Sequence, residues 1–243
     1  MKFISQKSAF PFTTACMFFL IFLFNYSLVT YFSLYPRYLS GLLFLIPFMI
    51  FFIIYILAQF TKADPIALNV LNAVLIAVLG GAMFFSLLFL SFDEATTPTN
   101  DLNKYTRVLR LNNYRINESI NHFPAKIPTN AEDVEFSYVM PFLQGGEKLI
   151  LKYRSDMSEI NEAIAELEKK SEWIGIPSDK EAEDHGISFG SLEYDGGYML
   201  PDDFTIYVIE SKPYKSDDWN HGYTYGAAVS VKRNEIYYFS KKW

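Results

Sequence analysis

The sequence predicts a membrane anchor of three transmembrane helices joined to a soluble α+β domain with an antiparallel sheet and one main helix. Three observations predict it. Residues 10–92 form an apolar block whose only charges are Arg37, Lys62 and Asp64. The remainder is polar overall and contains runs that alternate with the two-residue period of strands. Within it, one amphipathic stretch has the period of a helix.

The interior charges divide the block into runs at 10–34, 38–60 and 66–92, of 25, 23 and 27 residues. At about 1.5 Å per residue, each is long enough to cross a hydrocarbon core about 30 Å thick. A buried helix of a soluble protein needs only about 10–14 apolar residues and keeps a polar face, which these runs lack. The organisation is therefore a membrane part at 1–92, a polar, turn-rich linker at 93–104 and a soluble domain at 105–243.

Charge separates the two parts. Residues 1–92 carry Lys2, Lys7, Arg37 and Lys62 against Asp64, a net of +3; the other 151 hold 17 basic and 26 acidic side chains, a net of −9, which together recover the overall −6. The mean hydropathy of +0.10 averages these unlike halves. A domain of this length can build one ordinary core. Its acidity makes nucleic acid a poor partner, because phosphate binding is driven by Lys and Arg. Cys16 is the only cysteine, which excludes intrachain disulfides and thiolate metal sites. The apolar run follows Cys16, the reverse of a lipoprotein signal, and exceeds the roughly 7–15 residues of a cleaved signal core. The first run is expected to remain as an anchor.

In the first run, Asn25 is expected to face another helix, since an amide exposed to lipid without a partner is costly. Tyr35-Pro36-Arg37 is short enough to make the first two helices an antiparallel pair. Pro47 removes a backbone donor and kinks the second. Pro65 suits the first turn of the third. Along that helix Ala73, Ala77 and Gly81 recur every four residues, a flat face that packs on the other two helices or forms a homodimer. The spans contain no ionisable carrier for conducted ions.

Lys2, Lys7 and Lys62 fall on one side of the bilayer and Arg37 on the other, which predicts a cytoplasmic N-terminus and an extracytoplasmic domain. A basic cluster, Lys104, Arg107, Arg110 and Arg115, follows the last span and pulls the other way, but long domains translocate largely regardless of charge. That cluster is read either as a contact for lipid phosphates or as a solvated face.

Val134, Phe136, Tyr138 and Met140 alternate with polar residues, as do Leu149, Leu151 and Tyr153. With Gln144-Gly145-Gly146 between them they predict a hairpin with one buried face. The glycines join strand to strand, which argues against a phosphate loop. Asp156 and Glu159 resemble a capping box ahead of the stripe Met157, Ile160, Ile164 and Leu167, and Gly175 and Pro177 end that helix. Its opposite face, with Glu162, Glu166, Lys169 and Lys170, reads as solvated. Glu181, Glu183, Asp184 and His185 are possible cation donors that nothing in the sequence orients, so no metal site is expected. Further strand signals flank Asp195-Gly196-Gly197, fill 204–209 and occupy the last stretch, which turns at Arg233-Asn234. About five strands result.

The order Phe123-Pro124, Ile127-Pro128, Ala131, Phe136, Gln144-Gly145-Gly146, Trp219-Asn220-His221-Gly222, Tyr225-Gly226, Asn234-Glu235-Ile236 and Trp243 resembles the soluble domain of a group of bacterial membrane-anchored proteins without an assigned activity. The resemblance covers residues 105–243. It implies a bacterial envelope protein whose domain faces away from the cytoplasm, and it supplies no site residues.

Trp219, His221, Tyr223 and Tyr225 form a candidate binding cluster. His221 near Asp217 and Asp218 has the residue types of a general acid or base, but no nucleophile motif accompanies it and His-Gly before a strand also reads as a turn. The pairs Asp202-Asp203 and Glu193/Asp195 are turn neighbours, which does not place two carboxylates across a cleft. No cofactor motif occurs. The expected function is a non-enzymatic binding or interaction module of the bacterial cell envelope, sensing an envelope protein or other component or neutralising a secreted toxin as an immunity protein would. The alternative is an envelope hydrolase using His221 with a nearby carboxylate.

Overall fold

The computed structural model describes residues 9–61, 64–141, 146–187, 192–194, 198–213 and 221–243. Two compact units divide between Glu94 and Ala95. The turns at Gln144-Gly145 and Asp195-Gly196-Gly197, and the cations Lys2, Lys7 and Lys62, lie outside the described residues.

Among the described residues, three helices are long and apolar enough to cross a membrane: α1 at Ala9–Phe32, α2 at Tyr38–Phe60 and α3 at Pro65–Thr96, of 24, 23 and 32 residues. On that basis the chain is a membrane protein. Aromatic pairs join α1 to α2, Phe12 with Tyr55 at 5.1 Å, Phe18 with Phe51 at 5.0 Å and Phe19 with Phe48 at 5.2 Å between ring centroids. Gly41 permits the close approach near the turn, because a Cβ there would lie 3.0 Å from Val29. Asn25 is buried among these helices.

Both helices are irregular near this end. The last turn of α1, Leu28–Phe32, is π-helical, and α2 tightens to a 3-10 turn over Leu42–Leu45. Pro47 follows that turn and has no N–H to return to Leu43, so the distortion sits where the proline demands it. Val29 accepts the Arg37 N–H at 2.9 Å across the connection. The end of α3 fastens the same turn: Glu94 accepts hydrogen bonds from the Ser33 hydroxyl and the Leu34 N–H, and Asp93 pairs with Arg37 at 3.2 Å.

Helix α3 contributes Met83 to the core of this unit, with Leu75, Ile76, Leu79, Leu87 and Leu90 packed against it. Ala73 and Ala77 are exposed, and a Cβ at Gly81 would meet nothing within 4 Å. The small-residue face is thus turned away from α1 and α2. The phenylalanine-rich hairpin is filled instead by the larger leucines and Met83, which bury more apolar surface.

The second unit is built on a six-stranded antiparallel sheet in the order β1-β2-β8-β7-β6-β3, plus a small pair β4-β5. The strands are β1 Glu132–Val139, β2 Lys148–Arg154, β3 Trp173–Gly175, β4 Glu193–Tyr194, β5 Tyr198–Met199, β6 Thr205–Lys212, β7 Tyr223–Ser230 and β8 Glu235–Lys242. Helix α4 is Tyr105–Leu111 and the main helix α5 is Met157–Lys170. The strand count exceeds the expected five because β3, three residues long, is too short to show alternation. Asp156 caps α5 by accepting the Glu159 N–H at 3.0 Å, while the Glu159 carboxylate turns to the hydroxyls of Ser155 and Tyr153. Asn234 takes a φ of 55°, the left-handed conformation expected of it in the β7–β8 turn.

Both faces of this sheet are buried, where the sequence predicted one. Phe136, Tyr138, Leu151, Tyr153 and Tyr238 lie under α4, α5 and the segment carrying Ile120 and Phe123. Ile150, Ile206, Val208, Ala228, Tyr237 and Phe239 form the opposite core with Ala182, Ile187, Leu192, Tyr194, Leu200 and Phe204. The alternation of β1 and β2 reports only the first face; the long excursion between β3 and β6 covers the second.

Gly226 pairs with Val208 where the β6–β7 register shifts, and a Cβ there would stand 2.0 Å from the Tyr207 carbonyl oxygen. Backbone in mid-sheet cannot yield as a side chain can. Gly226→Ala is therefore expected to cost at least about 3 kcal/mol of domain stability, read by urea denaturation followed by circular dichroism.

Candidate functional site

The second core stops short of the end where β1, β2 and the β7–β8 turn converge, leaving a cleft of about 640 Å³. Strand register builds its floor. Glu135 pairs with Lys152, and Lys152 with Tyr237, so these side chains share one face and one row. Lys152 is 6% exposed, with its Nζ 2.8 Å from the Glu135 carboxylate and 4.5 Å from the centre of the Tyr194 ring. A buried ammonium needs such compensation, since desolvation alone costs several kcal/mol; here a carboxylate and an aromatic face supply it.

The rim is paired as well. Arg233 binds Asp203 through two hydrogen bonds, at 2.7 and 3.1 Å, and its guanidinium lies 5.8 Å from the Tyr194 ring. This fork holds the Asp203 carboxyl below the usual carboxylate range and raises the Arg233 guanidinium. Arg154 pairs with Asp133, whose φ of 48° accompanies a break in the β1–β2 register. Tyr194 donates its hydroxyl to Glu235 at 3.3 Å. With Lys232, four cations and three carboxylates line a cleft in a domain whose net charge over residues 95–243 is −7. Such fixed arginine and lysine donors suit a carboxylate- or phosphate-bearing partner.

The residues singled out from sequence lie elsewhere. Tyr223 and Tyr225 stack at 6.1 Å between centroids, and both donate their hydroxyls to Glu210. Those bonds hold the Glu210 carboxyl low and, for Tyr223, raise the phenol to about 12. His221 is exposed in a turn, with a φ of 69°. Trp219, Asp217 and Asp218 lie outside the described residues. In the basic cluster, Arg110 and Arg115 border a groove of about 480 Å³ that includes Ile116, itself 82% exposed; Lys104 and Arg107 are half-buried and do not line it. Within the acidic segment, Glu181 accepts from the Trp173 indole at 3.4 Å, and among the described residues no three His, Cys, Asp or Glu gather as for a metal ion.

Comparison with family models, curated proteins and solved structures returns no match. The site therefore has to be read from its own geometry.

Two histidines outside the predicted cluster are well ordered by their contacts. His185 Nδ1 lies 2.8 Å from the Ser211 hydroxyl, and Glu172 accepts both the Ser211 hydroxyl and its N–H at 2.7 Å. These are the residue types of a hydrolytic triad, but a triad places the serine and the acid at opposite imidazole nitrogens. Here Nδ1 faces both, Glu172 being 3.6 Å away, so the group ties the approach to β3 onto β6. His122 is the other. Its Nε2–H donates to the carbonyls of Gly226 at 2.9 Å and Phe239 at 3.3 Å, and its ring stacks on Tyr225 at 5.7 Å. The residue keeps some exposure, yet its Nδ1 is sealed from solvent with no hydrogen-bond partner among the described residues.

Burial of that ring lowers the His122 imidazole to about 4, the two carbonyl bonds offsetting part of the effect. A base depressed in the fold is neutral there, so acid favours the unfolded chain. Its contribution is complete above about pH 6.5 and is lost as pH falls toward 4, some 3 kcal/mol in all. Urea midpoints across that range are expected to fall more steeply for the native chain than for His122→Gln.

Proposed function

We propose that the chain is a multi-pass membrane protein of the bacterial cell envelope whose extracytoplasmic domain is a non-enzymatic binding module, with the Lys152 cleft as its site. The observation that carries this reading is the buried Lys152 ammonium, fixed by Glu135 and Tyr194 beside Arg154 and Arg233. Burying a cation at the floor of an open, charged cleft is costly for a mere surface, and it presents preset charge to a polar partner. Such a partner is an envelope component that the module senses or, in an immunity role, a secreted toxin. The short segments around the spans support the orientation, with Lys2, Lys7 and Lys62 on the cytoplasmic side. The face with exposed Ala73 and Ala77, and open space beside half-buried Gly81, supports pairing of α3 with a second copy. Arg110 and Arg115 around exposed Ile116 support a contact with lipid phosphates.

The hydrolase alternative assigns the chemistry to His221, so the two readings separate by substitution. With the full chain in detergent, a tri-glutamate peptide at about 100 times its Kd is expected to stabilise the native fold by about 2.7 kcal/mol. Lys152→Met should abolish the accompanying rise in Tm and His221→Ala should leave it intact. Hydrolysis of the probe that disappears in a folded His221→Ala chain would instead establish the enzyme reading.

Orientation has its own readout. Protease added to intact cells is expected to remove the domain while the spans stay protected. Digestion that begins only after lysis would reverse the proposed sidedness.

A further inference from the structure

We infer that the first unit carries a binding site for one anionic phospholipid, with an acyl chain between α1, α2 and α3 and the phosphate on Arg37. The spans enclose a hollow of about 530 Å³. Its walls are Val29 from the π-helical turn, Phe44 and Pro47 from the distorted part of α2, and Leu79, Met83 and Phe89 from α3. Irregular backbone at membrane depth is tolerated where it lines a protein cavity, which is where both distortions fall.

Charge and dimension identify the occupant. Among the described residues Arg37 is the one charged side chain on the hollow, and it stands at the end where the α1–α2 turn meets the C-terminal end of α3. Its side chain remains 32% exposed and, among the described residues, makes one 3.2 Å contact, with Asp93. A guanidinium has five donors, so Asp93 leaves others for a phosphate. Ser40, about one helical turn deeper, adds an exposed hydroxyl at the depth of a glycerol ester. From Arg37 to Pro47 the helix descends about 15 Å, half of a bilayer core and the reach of one leaflet. The lining reaches as deep as Pro47 on α2 and Leu79 on α3, the depth at which the acyl chain of one leaflet ends. The surrounding helix surfaces are rich in exposed Leu, Phe and Val, as expected where lipid is the solvent.

Ala82 lines the hollow and is otherwise exposed, so a large side chain there fills the space without disturbing the aromatic contacts of α1 with α2. The test is native mass spectrometry of the full chain released from nanodiscs of equal phosphatidylglycerol and phosphatidylcholine. One phosphatidylglycerol per chain should be retained. Ala82→Phe should abolish retention, and Arg37→Gln should reduce the preference for phosphatidylglycerol over phosphatidylcholine at least fivefold, with helicity unchanged by circular dichroism. Because Arg37→Gln also releases Asp93, Asp93→Asn serves as the control and is expected to retain the lipid. Retention that survives Ala82→Phe, or an unchanged lipid preference in Arg37→Gln, overturns the site; so does equal retention of both lipids by the native chain.

Discussion

Burial on both faces of the β2–β8–β7 centre governs the soluble unit. A strand offers every residue to one side or the other, so a sheet covered twice has no neutral position at its middle. Leu149, Leu151 and Tyr153 enter one core, while Ile150 and Lys152 enter the second. Lys152 is where that geometry sends a charge inward. Its environment follows as compensation: Glu135 arrives by register from β1, and Tyr194 arrives from the covering excursion and brings its ring over the ammonium. The cleft is thus a consequence of how the second face closes, and Arg233 with Asp203 closes it at the turn.

The membrane unit solves a related problem in a harsher solvent. Backbone groups at a distorted helix end lose their helical partners, and each one left unsatisfied is expensive. The turn after α1 meets this requirement with its own carbonyl at Val29 and with two acids borrowed from α3. One carboxylate, Glu94, serves two donors of the turn, while Asp93 neutralises its cation. The charges at the end of the third apolar run are therefore as structural as the apolar residues before them. They explain why α3 stays registered with the hairpin although its small-residue face is turned away.

Much of this architecture was legible in the sequence for direct physical reasons. Length and charge marked the three spans, the Asp156 cap marked the start of α5, and alternation marked β1, β2 and the last hairpin. The cleft was not legible. Lys152 follows Leu149, Ile150 and Leu151, and a lysine there reads as the solvent side of a half-buried strand, because periodicity cannot tell that Tyr194, far along the chain, will cover it. Tyr194 and Arg233 reach the site only through tertiary folding. The unbroken apolar run from Leu149 to Leu151 was the available signal, since strands buried on both faces lose their alternation. Conversely, the aromatic and histidine content of 219–225 drew attention by residue type, whereas Tyr223 and Tyr225 are committed to Glu210.

Electrostatics explains how an acidic domain can still present a cationic site. At physiological salt the Debye length is about 8 Å, so charges beyond one or two strands contribute little inside the cleft. What a docked group experiences is the local set: Lys152, Arg154, Lys232 and Arg233 against Asp133, Glu135 and Glu235. The domain's net −7 acts at longer range and at low salt, where it opposes the approach of an acidic group. Lys152, Arg154 and Arg233 are held in place by carboxylates of the protein itself, so little of their side-chain entropy remains to be lost on binding. A carboxylate or phosphate brought to the cleft would therefore meet oriented donors at short range and a repulsive field outside it.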